Sequence, residues 1–383
     1  MRRRQWVIGL VLAFCLLSAS LWGSSLYQGL EALLTLFDLI GQASSAGVDI
    51  RPAAKRASVE FDVEGRHYRA DLYRPEDRTL AGVVFVPGAA HQGKDDPRVI
   101  SLATILARAR FAVLIPDVVA LRELKLLPET SRDVADAIMY LSSQPDLAPE
   151  GRLGILTTSV AIGPAVLAML DRSVSKLVRF ILAIGGYYDL PRTLTYLTTG
   201  HYDAHGISLR NQPNEYGKWI YALSNATRIE DAQEREIFNV LAHRKLQNPK
   251  DPVDDLVSSL GPKARRIYKF IDNKNPALSL ALMDALPAAQ RDHIAQLNLA
   301  AHDLKRLKTR FILVHGLDDP TIPYGESIAL ASALAPGQSR LFLLRGLVHV
   351  DVAPEVMDGF RMWSAIYALL SERYRDAGAI SPD

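Results

Sequence analysis

The feature that most constrains this chain is a short apolar run that passes directly into a helix, with a serine at the junction. Leu153, Ile155 and Leu156 predict a buried strand, and residues 160–170 predict a helix. Ser159 lies between them without room for a loop. A pivot residue of this kind is held in a strained backbone conformation that pushes its side chain out above the sheet. The helix N-terminus behind it favours negative charge, so the stretch predicts an exposed serine nucleophile.

The residues around this serine depart from the usual Gly-x-Ser-x-Gly pattern. They read Thr157-Thr158-Ser159-Val160-Ala161. Ala161 is small enough for close helix packing, but Thr157 puts a β-branched residue where the backbone usually passes close to its neighbours. A helix that begins at a capping serine explains the stretch equally well. The choice between nucleophile and cap therefore depends on the rest of the chain.

Composition excludes several classes of protein. The chain has 383 residues, a formal net charge of +2 and 49% hydrophobic residues, which is enough for one large domain with an insertion or for two domains. The sequence lacks a basic stripe of the kind that would indicate a nucleic-acid partner. The single cysteine, Cys15, lies in the N-terminal apolar run, so a disulfide framework, a thiolate metal site and a cysteine nucleophile in the folded part are excluded.

Residues 1–24 predict a signal peptide or a membrane anchor. Arg2, Arg3 and Arg4 precede an uncharged apolar run of 17 residues, at positions 6–22. This length lies between a signal-peptide core and a span of about 20 residues. Small residues at 18–20 offer a cleavage site, and tryptophans at both ends favour an uncleaved anchor. The arginines stay in the cytoplasm in either case, so we expect the remainder to be exported. A buried helix is the alternative.

Residues 25–57 predict one helix and a linker. Leu26, Leu30, Leu33, Leu34, Phe37 and Ile40 recur at helical spacing. We expect this stripe to pack on the domain, with a position on lipid as the alternative. Small and polar residues at 41–56 then predict the linker.

Strands alternate with helices through residues 58–188 and again through 309–383. Two alternating segments, 58–63 and 67–73, predict an antiparallel pair turned at Glu64-Gly65, and the later strands are continuous apolar runs. This pattern predicts an α/β fold with a mostly parallel sheet flanked by helices. Residues 189–308 interrupt it with several helical patterns and no convincing strand. We therefore expect an inserted all-helical cap above the strand ends, where ligands of such sheets bind.

Over residues 58–374 the chain resembles the α/β-hydrolase superfamily. The likeness rests on the serine turn, on His315-Gly316-x-x-Asp319-x-x-Ile322-Pro323, on His349 after the last strand, and on Pro87-Gly88-Ala89 after an early strand. It implies a Ser159–His349–Asp319 triad in which His349 removes the serine proton and Asp319 orients the imidazole. The backbone N–H groups of Ala89 and Val160 would form the oxyanion hole. The resemblance implies hydrolysis of a carboxylic ester, or a related acyl bond, of a small molecule through an acyl-serine, without a metal or organic cofactor.

Several alternatives remain open. Asp318 is the second choice for the acid, and His349 is otherwise a structural histidine. His91 near the oxyanion loop is a substrate contact or polar surface, and the types of residue in His201-x-Asp203-x-His205 suit a metal only weakly. Tyr187 and Tyr188 line the pocket or belong to the core. An acyltransferase or a peptidase would use the same triad, and a catalytically silent hydrolase fold that only binds a ligand would tolerate Thr157.

Overall fold

The computed structural model describes residues 27–39, 53–348, 351–352 and 358–375. Its centre is an eight-stranded sheet of order β1-β2-β4-β3-β5-β6-β9-β10. Only β2 runs against its neighbours, since it pairs antiparallel with both β1 and β4, whereas the other pairs are parallel. The predicted α/β architecture is therefore confirmed. The strands of this sheet are Lys55–Val63 (β1), Arg66–Arg74 (β2), Ala81–Val86 (β3), Phe111–Pro116 (β4), Leu153–Thr158 (β5), Phe180–Ile184 (β6), Arg310–Gly316 (β9) and Ser339–Leu344 (β10).

The antiparallel pair begins where the alternating pattern predicts it. Glu64 and Gly65 form the turn, with φ of 50° and 79°. Both residues have a left-handed backbone conformation, as a two-residue hairpin turn requires, and glycine adopts this conformation without a steric penalty. The predicted linker ends before residue 55, because Lys55 already belongs to β1; its residues 41–52 lie outside the described part.

Both faces of the sheet are covered, which explains why its central strands are continuously apolar. Along β3, Ala81, Val83 and Phe85 point into one hydrophobic cluster, while Val84 and Val86 point into the other. One face carries helices α4 and α5, and the opposite face carries α2 and the closing helix α15. These helices span Pro97–Arg108 (α2), Val119–Arg122 (α3), Thr130–Ser142 (α4), Ile162–Ala168 (α5), Arg172–Ser175 (α6), Gly325–Ala333 (α14) and Gly359–Ser371 (α15).

The chain between β6 and β9 is largely helical, but the prediction of an all-helical cap is wrong. Two short strands, β7 and β8, pair as an antiparallel hairpin. Residues such as Tyr202 and Ile207 sit in four-residue strands that are too short to produce a visible alternation, so the sequence pattern did not show them. The elements of this insertion are Leu190–Thr199 (α7), His201–Ala204 (β7), Ile207–Arg210 (β8), Glu215–Ala226 (α8), Ala232–Gln247 (α9), Asp254–Ser258 (α10), Pro262–Ile271 (α11), Ser279–Asp284 (α12) and Ala288–Leu297 (α13).

Residues 27–39 form helix α1, as the spacing predicts, but the predicted orientation of its apolar stripe is wrong. Leu30, Leu33 and Phe37 are exposed, and the helix packs on the domain through Ala32 and Leu36 instead. Gly29 and Ala32 on the packed side allow α1 to lie close to its neighbours, since a Cβ on Gly29 would already be 3.4 Å from the Trp363 ring. A periodicity argument cannot anticipate this packing.

Polar contacts fix α1 against the closing helix α15. The Trp363 indole N–H donates to the Gly29 carbonyl at 2.9 Å, and Glu31 pairs with the fully buried Arg373. The same arginine donates to the Ala109 carbonyl at the end of α2, at 2.6 Å. These contacts hold the start of the described chain on the core.

Two predicted segments fall wholly or partly outside the described residues. The apolar run at 6–22 is one of them, so the predicted N-terminal apolar helix lies outside the described residues. The predicted closing helix of residues 354–374 corresponds to α15 (Gly359–Ser371), and residues 354–357 of that prediction lie outside the described part. Within the residues that the structure describes, no helix is long and apolar enough to cross a membrane.

Candidate active site

Ser159 lies at a strained turn at the carboxyl end of the central strand β5. Its φ is +55°, whereas Thr158 before it is extended, and one turn of 3₁₀-helix over Ser159–Ala161 leads directly into α5. A left-handed serine costs free energy and persists only where the surrounding structure enforces it. Contrary to the predicted exposure, Ser159 is only 9% exposed; it lines a partly open cavity beneath the insertion.

The loop after β3 packs directly on this turn. The Gly88 N–H donates to the Thr158 hydroxyl oxygen at 2.9 Å. A Cβ on Gly88 would lie 3.0 Å from the Ser159 Cβ and 3.2 Å from the Thr158 carbonyl oxygen, so only glycine fits there without displacing the turn. Ala89 and Val160, the predicted oxyanion donors, line the same cavity as Ser159. The sequence motif assigns no role to Thr158, and its hydroxyl is the one local signal for this contact.

Thr157 is accommodated at the position where glycine is usual. It is fully buried in β5, between the neighbouring strand residues Val86 and Ala183. Its hydroxyl has no hydrogen-bond partner among the described residues. The small Ala183 provides space beside it, so the β-branched side chain does not prevent the strained turn from forming.

Asp319 lies in the loop after β9 and is buried, whereas its neighbour Asp318 is exposed. One carboxylate oxygen of Asp319 accepts the N–H groups of Thr321 and Ile322 at 2.7 and 3.0 Å. Its backbone carbonyl accepts the hydroxyl of Tyr196 from α7 at 3.2 Å. Such contacts fix the orientation of the carboxylate, which is what an acid that orients an imidazole requires.

His315 is buried beside Asp319, but its contacts make it a structural residue. Its Nε2 lies 2.9 Å from the Ile322 carbonyl oxygen and must therefore donate, so the neutral ring accepts at Nδ1 from the Ser327 hydroxyl at 2.7 Å. The Asp319 carboxylate is 3.5 Å from the same Nε2. With both ring nitrogens engaged, His315 supports the acid loop and is not available as a general base.

His349 lies outside the described residues. The described chain reaches Val348 in β11 (Leu347–Val348) and resumes in β12 (Asp351–Val352), which pairs with it antiparallel. Leu347 lines the cavity that contains Ser159. Its carbonyl oxygen is so close to Gly316, at the end of β9, that a Cβ there would lie 1.7 Å from it.

The cavity has a volume of about 890 Å³, and its lining is mostly apolar. It extends from the loops after β3 and β5 in two directions, to helices α1, α2 and α15 and to helices of the insertion. Among the residues that the insertion contributes are Leu190, Thr193, Leu194, Leu197, Ile220 and Tyr221. Residues 320–322 of the acid loop also line it. An apolar group of a ligand can therefore lie against the insertion while its reactive part lies at Ser159.

The chain at the start of the insertion is hydrogen-bonded to a buried carboxylate of the core. Glu326 of α14 accepts the N–H groups of Tyr188 and Asp189 at 2.9 and 2.6 Å, just before α7 begins. Burial raises the pKa of Glu326 to about 7, and the two N–H donors only partly oppose that shift.

Tyr187 belongs to the core and lines the cavity, and its hydroxyl donates to the Leu297 carbonyl at 2.9 Å. The two ends of the insertion are thus tied together.

The other predicted candidates do not line the cavity that contains Ser159. His91 is exposed and lines a separate surface pocket with Lys94 and Arg122. His201 and Asp203 belong to β7, and His205 forms the hairpin turn with a φ of +52°. Within the described residues, no group of three potential ligands could hold a metal ion.

A mostly parallel eight-stranded sheet with one antiparallel strand, flanked by helices and carrying a strained serine after its central strand, defines the α/β-hydrolase fold, and this chain has that fold. The sequence matches no protein-family model. A search of curated proteins finds no significant match.

Solved structures of the same fold match over most of the chain. A Mycobacterium tuberculosis puromycin-hydrolysing peptidase matches at 17% identity and a TM-score of 0.50, over 85% of this chain and 40% of its own. The carboxylesterase EstE1, cloned from a metagenomic library, matches at 16% identity and a TM-score of 0.47, over 89% of this chain and 96% of its own. An esterase from Pyrobaculum calidifontis matches at 16% identity and a TM-score of 0.47, over 90% of each chain.

Proposed function

We propose that this protein is a serine hydrolase that cleaves a carboxylic ester, or a related acyl bond, through an acyl-serine intermediate. The observation that carries the proposal is the backbone conformation of Ser159, which has a φ of +55° just before the N-terminus of α5. The residue also lines the cavity. A helix that merely begins at a serine cap needs no such strain, because capping residues adopt an ordinary extended conformation. A strained, cavity-lining serine is what a nucleophile at this position requires.

In the proposed mechanism, Ser159 attacks the acyl carbonyl while His349 removes its proton. His349 then donates that proton to the leaving group, and Asp319 orients the imidazole and stabilises its charged form. The position of Leu347 supports this assignment, because it lines the serine cavity and contacts the end of β9, and His349 follows two residues later. The buried, doubly hydrogen-bonded carboxylate of Asp319 supports it as the acid over Asp318.

The oxyanion would be held by the N–H groups of Val160 and Ala89. The N–H of Gly88 is already bound to Thr158, so Ala89 is the next donor along the loop. Each such donor contributes about 3 kcal/mol of transition-state stabilisation. Backbone donors do not depend on the side chain at position 157, so a threonine there is compatible with activity as long as the turn keeps its shape.

The insertion of residues 189–308 acts as the cap that shapes the substrate pocket. The lining by Leu190, Leu194 and Leu197 of α7 supports this role and favours substrates with an apolar acyl or alcohol group. Because α7 also fixes the acid loop through Tyr196, the cap and the proposed acid are mechanically connected.

The first test is reaction with a fluorophosphonate probe, together with hydrolysis of short p-nitrophenyl esters. We expect the parent chain to be labelled once per molecule and Ser159→Ala to lose both labelling and hydrolysis. Ser332→Ala, at an exposed serine of α14, is the matched control and should behave as the parent. His349→Ala should retain the fold and lose hydrolysis; activity equal to that of the parent would show that the triad is wrong.

The rival proposal is a catalytically silent hydrolase fold that binds a ligand, and Thr157 is the residue that favours it. A well-folded parent chain that the probe does not label would establish the rival and exclude the hydrolase. A peptidase or an acyltransferase would be labelled equally. Parallel assays with amide substrates and with an added acceptor alcohol separate these activities from ester hydrolysis.

We further propose that the protein is exported and attached to a membrane through residues 1–24, with the catalytic domain on the extracytoplasmic side. The triple arginine and the apolar run of 17 residues support this proposal. Cleavage after the small residues at 18–20 would instead release a secreted or periplasmic protein. Intact-mass measurement of the protein from membrane and soluble fractions distinguishes the two outcomes, and recovery of the uncleaved chain from the cytoplasm alone would contradict export.

A further inference from the structure

Helix α1 presents a side of large apolar and aromatic residues to solvent. Leu30 is 55% exposed and Phe37 is 59% exposed, and Tyr27 and Leu33 lie on the same side of the helix. We name these four residues the α1 outer face. Large apolar side chains that are exposed together, unlike scattered ones, mark a surface that binds something apolar.

The opposite side of α1 holds the polar contacts of the helix. Glu31 pairs with Arg373, and the Ser371 hydroxyl donates to Gln28 at 3.5 Å. The same side also buries the apolar side chains of Ala32 and Leu36. An amphipathic helix that only packs on its own domain keeps its large apolar side chains inward and does not expose a second apolar side. The α1 outer face is therefore not explained by the packing of the domain.

The closing helix α15 adds aromatic surface beside α1. Phe360 is 74% exposed and stacks on Trp363, with ring centroids 5.6 Å apart. Trp363 is the residue whose indole N–H binds the Gly29 carbonyl, so these aromatic rings adjoin the start of α1. Tryptophan and other aromatic side chains are typical of the boundary between lipid and water.

The position of α1 in the chain identifies the occupant of this surface. Tyr27 follows Trp22, the last residue of the apolar run, by five residues, and a chain of that length reaches at most about 17 Å. If the run is held in a bilayer, α1 cannot leave the neighbourhood of that bilayer. We propose that the α1 outer face lies in the interface of the same membrane, parallel to its plane, with its rings and leucines among the upper acyl chains. This proposal rests on the membrane attachment proposed above.

The charges of α1 favour a neutral lipid surface as the partner. Residues 27–39 contain two acids, Glu31 and Asp38, and no base, so anionic lipid does not attract the helix. Binding is then driven by burial of apolar side chains, as in interfacial helices with a narrow polar side. Such contact would hold the catalytic domain in a fixed orientation on the membrane.

The experiment uses the full chain with Cys15→Ser as the background and a nitroxide spin label on a single introduced cysteine. Leu30→Cys and Phe37→Cys report on the α1 outer face. Val240→Cys, at an exposed apolar residue of α9 in the insertion, is the matched control. Each protein is reconstituted in phosphatidylcholine nanodiscs, and the collision rates of the label with oxygen and with a water-soluble nickel chelate are measured.

We expect the labels at 30 and 37 to collide severalfold more with oxygen and less with nickel than the label at 240. The same two labels are also placed in a chain that lacks residues 1–24, without detergent. When phosphatidylcholine vesicles are added, their collision rates with oxygen should rise and those with nickel should fall. Equal nickel access at 30, 37 and 240 in protein that is bound to discs would overturn the proposal while leaving the anchor intact. Failure of the full chain to join the discs would overturn both. Shielding from oxygen and nickel alike would show a protein interface instead, and it would equally contradict a lipid contact.

Discussion

Replacing Thr158 by valine removes one hydrogen bond from the base of the proposed oxyanion hole. In the parent, the Thr158 hydroxyl accepts the Gly88 N–H at 2.9 Å. Valine has nearly the same shape but no acceptor, so a part-buried N–H loses its partner. Leaving a buried donor unpaired costs about 1–3 kcal/mol, and partial exposure of this pair favours the lower half of that range. The Pro87–Ala90 loop can recover this free energy only by turning the Gly88 peptide, which would displace the N–H of Ala89.

If that displacement is felt in the transition state, kcat falls. A loss of about 1.4 kcal/mol corresponds to a tenfold decrease, so we expect kcat for a p-nitrophenyl ester to fall about tenfold, with a smaller change in KM. Thr158→Ser retains an acceptor oxygen and should restore most of the activity. Unfolding in urea, measured on the same variants, gives the accompanying change in stability.

Thr157→Val is the matched control for this substitution. The two threonines are adjacent in the chain and the change is identical, but the Thr157 hydroxyl has no partner among the described residues. Removing an unpaired buried hydroxyl should leave kcat unchanged and stabilise the fold, by up to about 1 kcal/mol. If Thr158→Val is as active as Thr157→Val, the hydrogen bond to Gly88 does not position the loop and the reasoning is refuted.

Three further predictions concern the surroundings of the site. Glu326 has a pKa raised to about 7 from 4.5, so the folded state binds more protons than the unfolded chain between these values, and stability present at low pH is lost as the pH rises from 4.5 through 7. The free energy of unfolding in urea should therefore be about 2–3 kcal/mol higher at pH 5 than at pH 8 from this group, and Glu326→Gln should remove that difference, whereas an unchanged pH dependence would exclude Glu326 as its source. Tyr196→Phe deletes the hydroxyl that donates to the Asp319 carbonyl at 3.2 Å, and we expect the free energy of unfolding in urea to fall by about 1 kcal/mol and kcat to fall severalfold. Loss of stability without loss of kcat would show that this contact from α7 does not support catalysis. Arg373→Leu removes a fully buried guanidinium that pairs with Glu31, so we expect faster proteolysis within α1 and about 3 kcal/mol of destabilisation. Protection of α1 equal to the parent's would show that its other contacts hold it without this ion pair.

Much of this fold can be predicted from the sequence because its signals are local. The strained serine follows from an apolar run that ends where a helix begins, and the hairpin turn follows from Glu64-Gly65. A continuous apolar strand such as β3 is legible because both of its faces are buried. By contrast, β7 and β8 are four residues long, and such short strands form because they pair with each other and because β7 packs on α14.

Along the chain, residue types and their spacing determined that this protein builds a doubly covered sheet with a serine at the end of its central strand. Spacing alone could not show that Gly88 binds Thr158 or that Tyr196 reaches the acid loop, because these residues are separated by 70 and 123 positions. Nor could it show which side of α1 faces outward. The periodicity of a helix reveals that it has an apolar side, but what lies against each side is decided by the elements that surround it. Only the tertiary structure contains that information, since it alone specifies which distant residues share the same space.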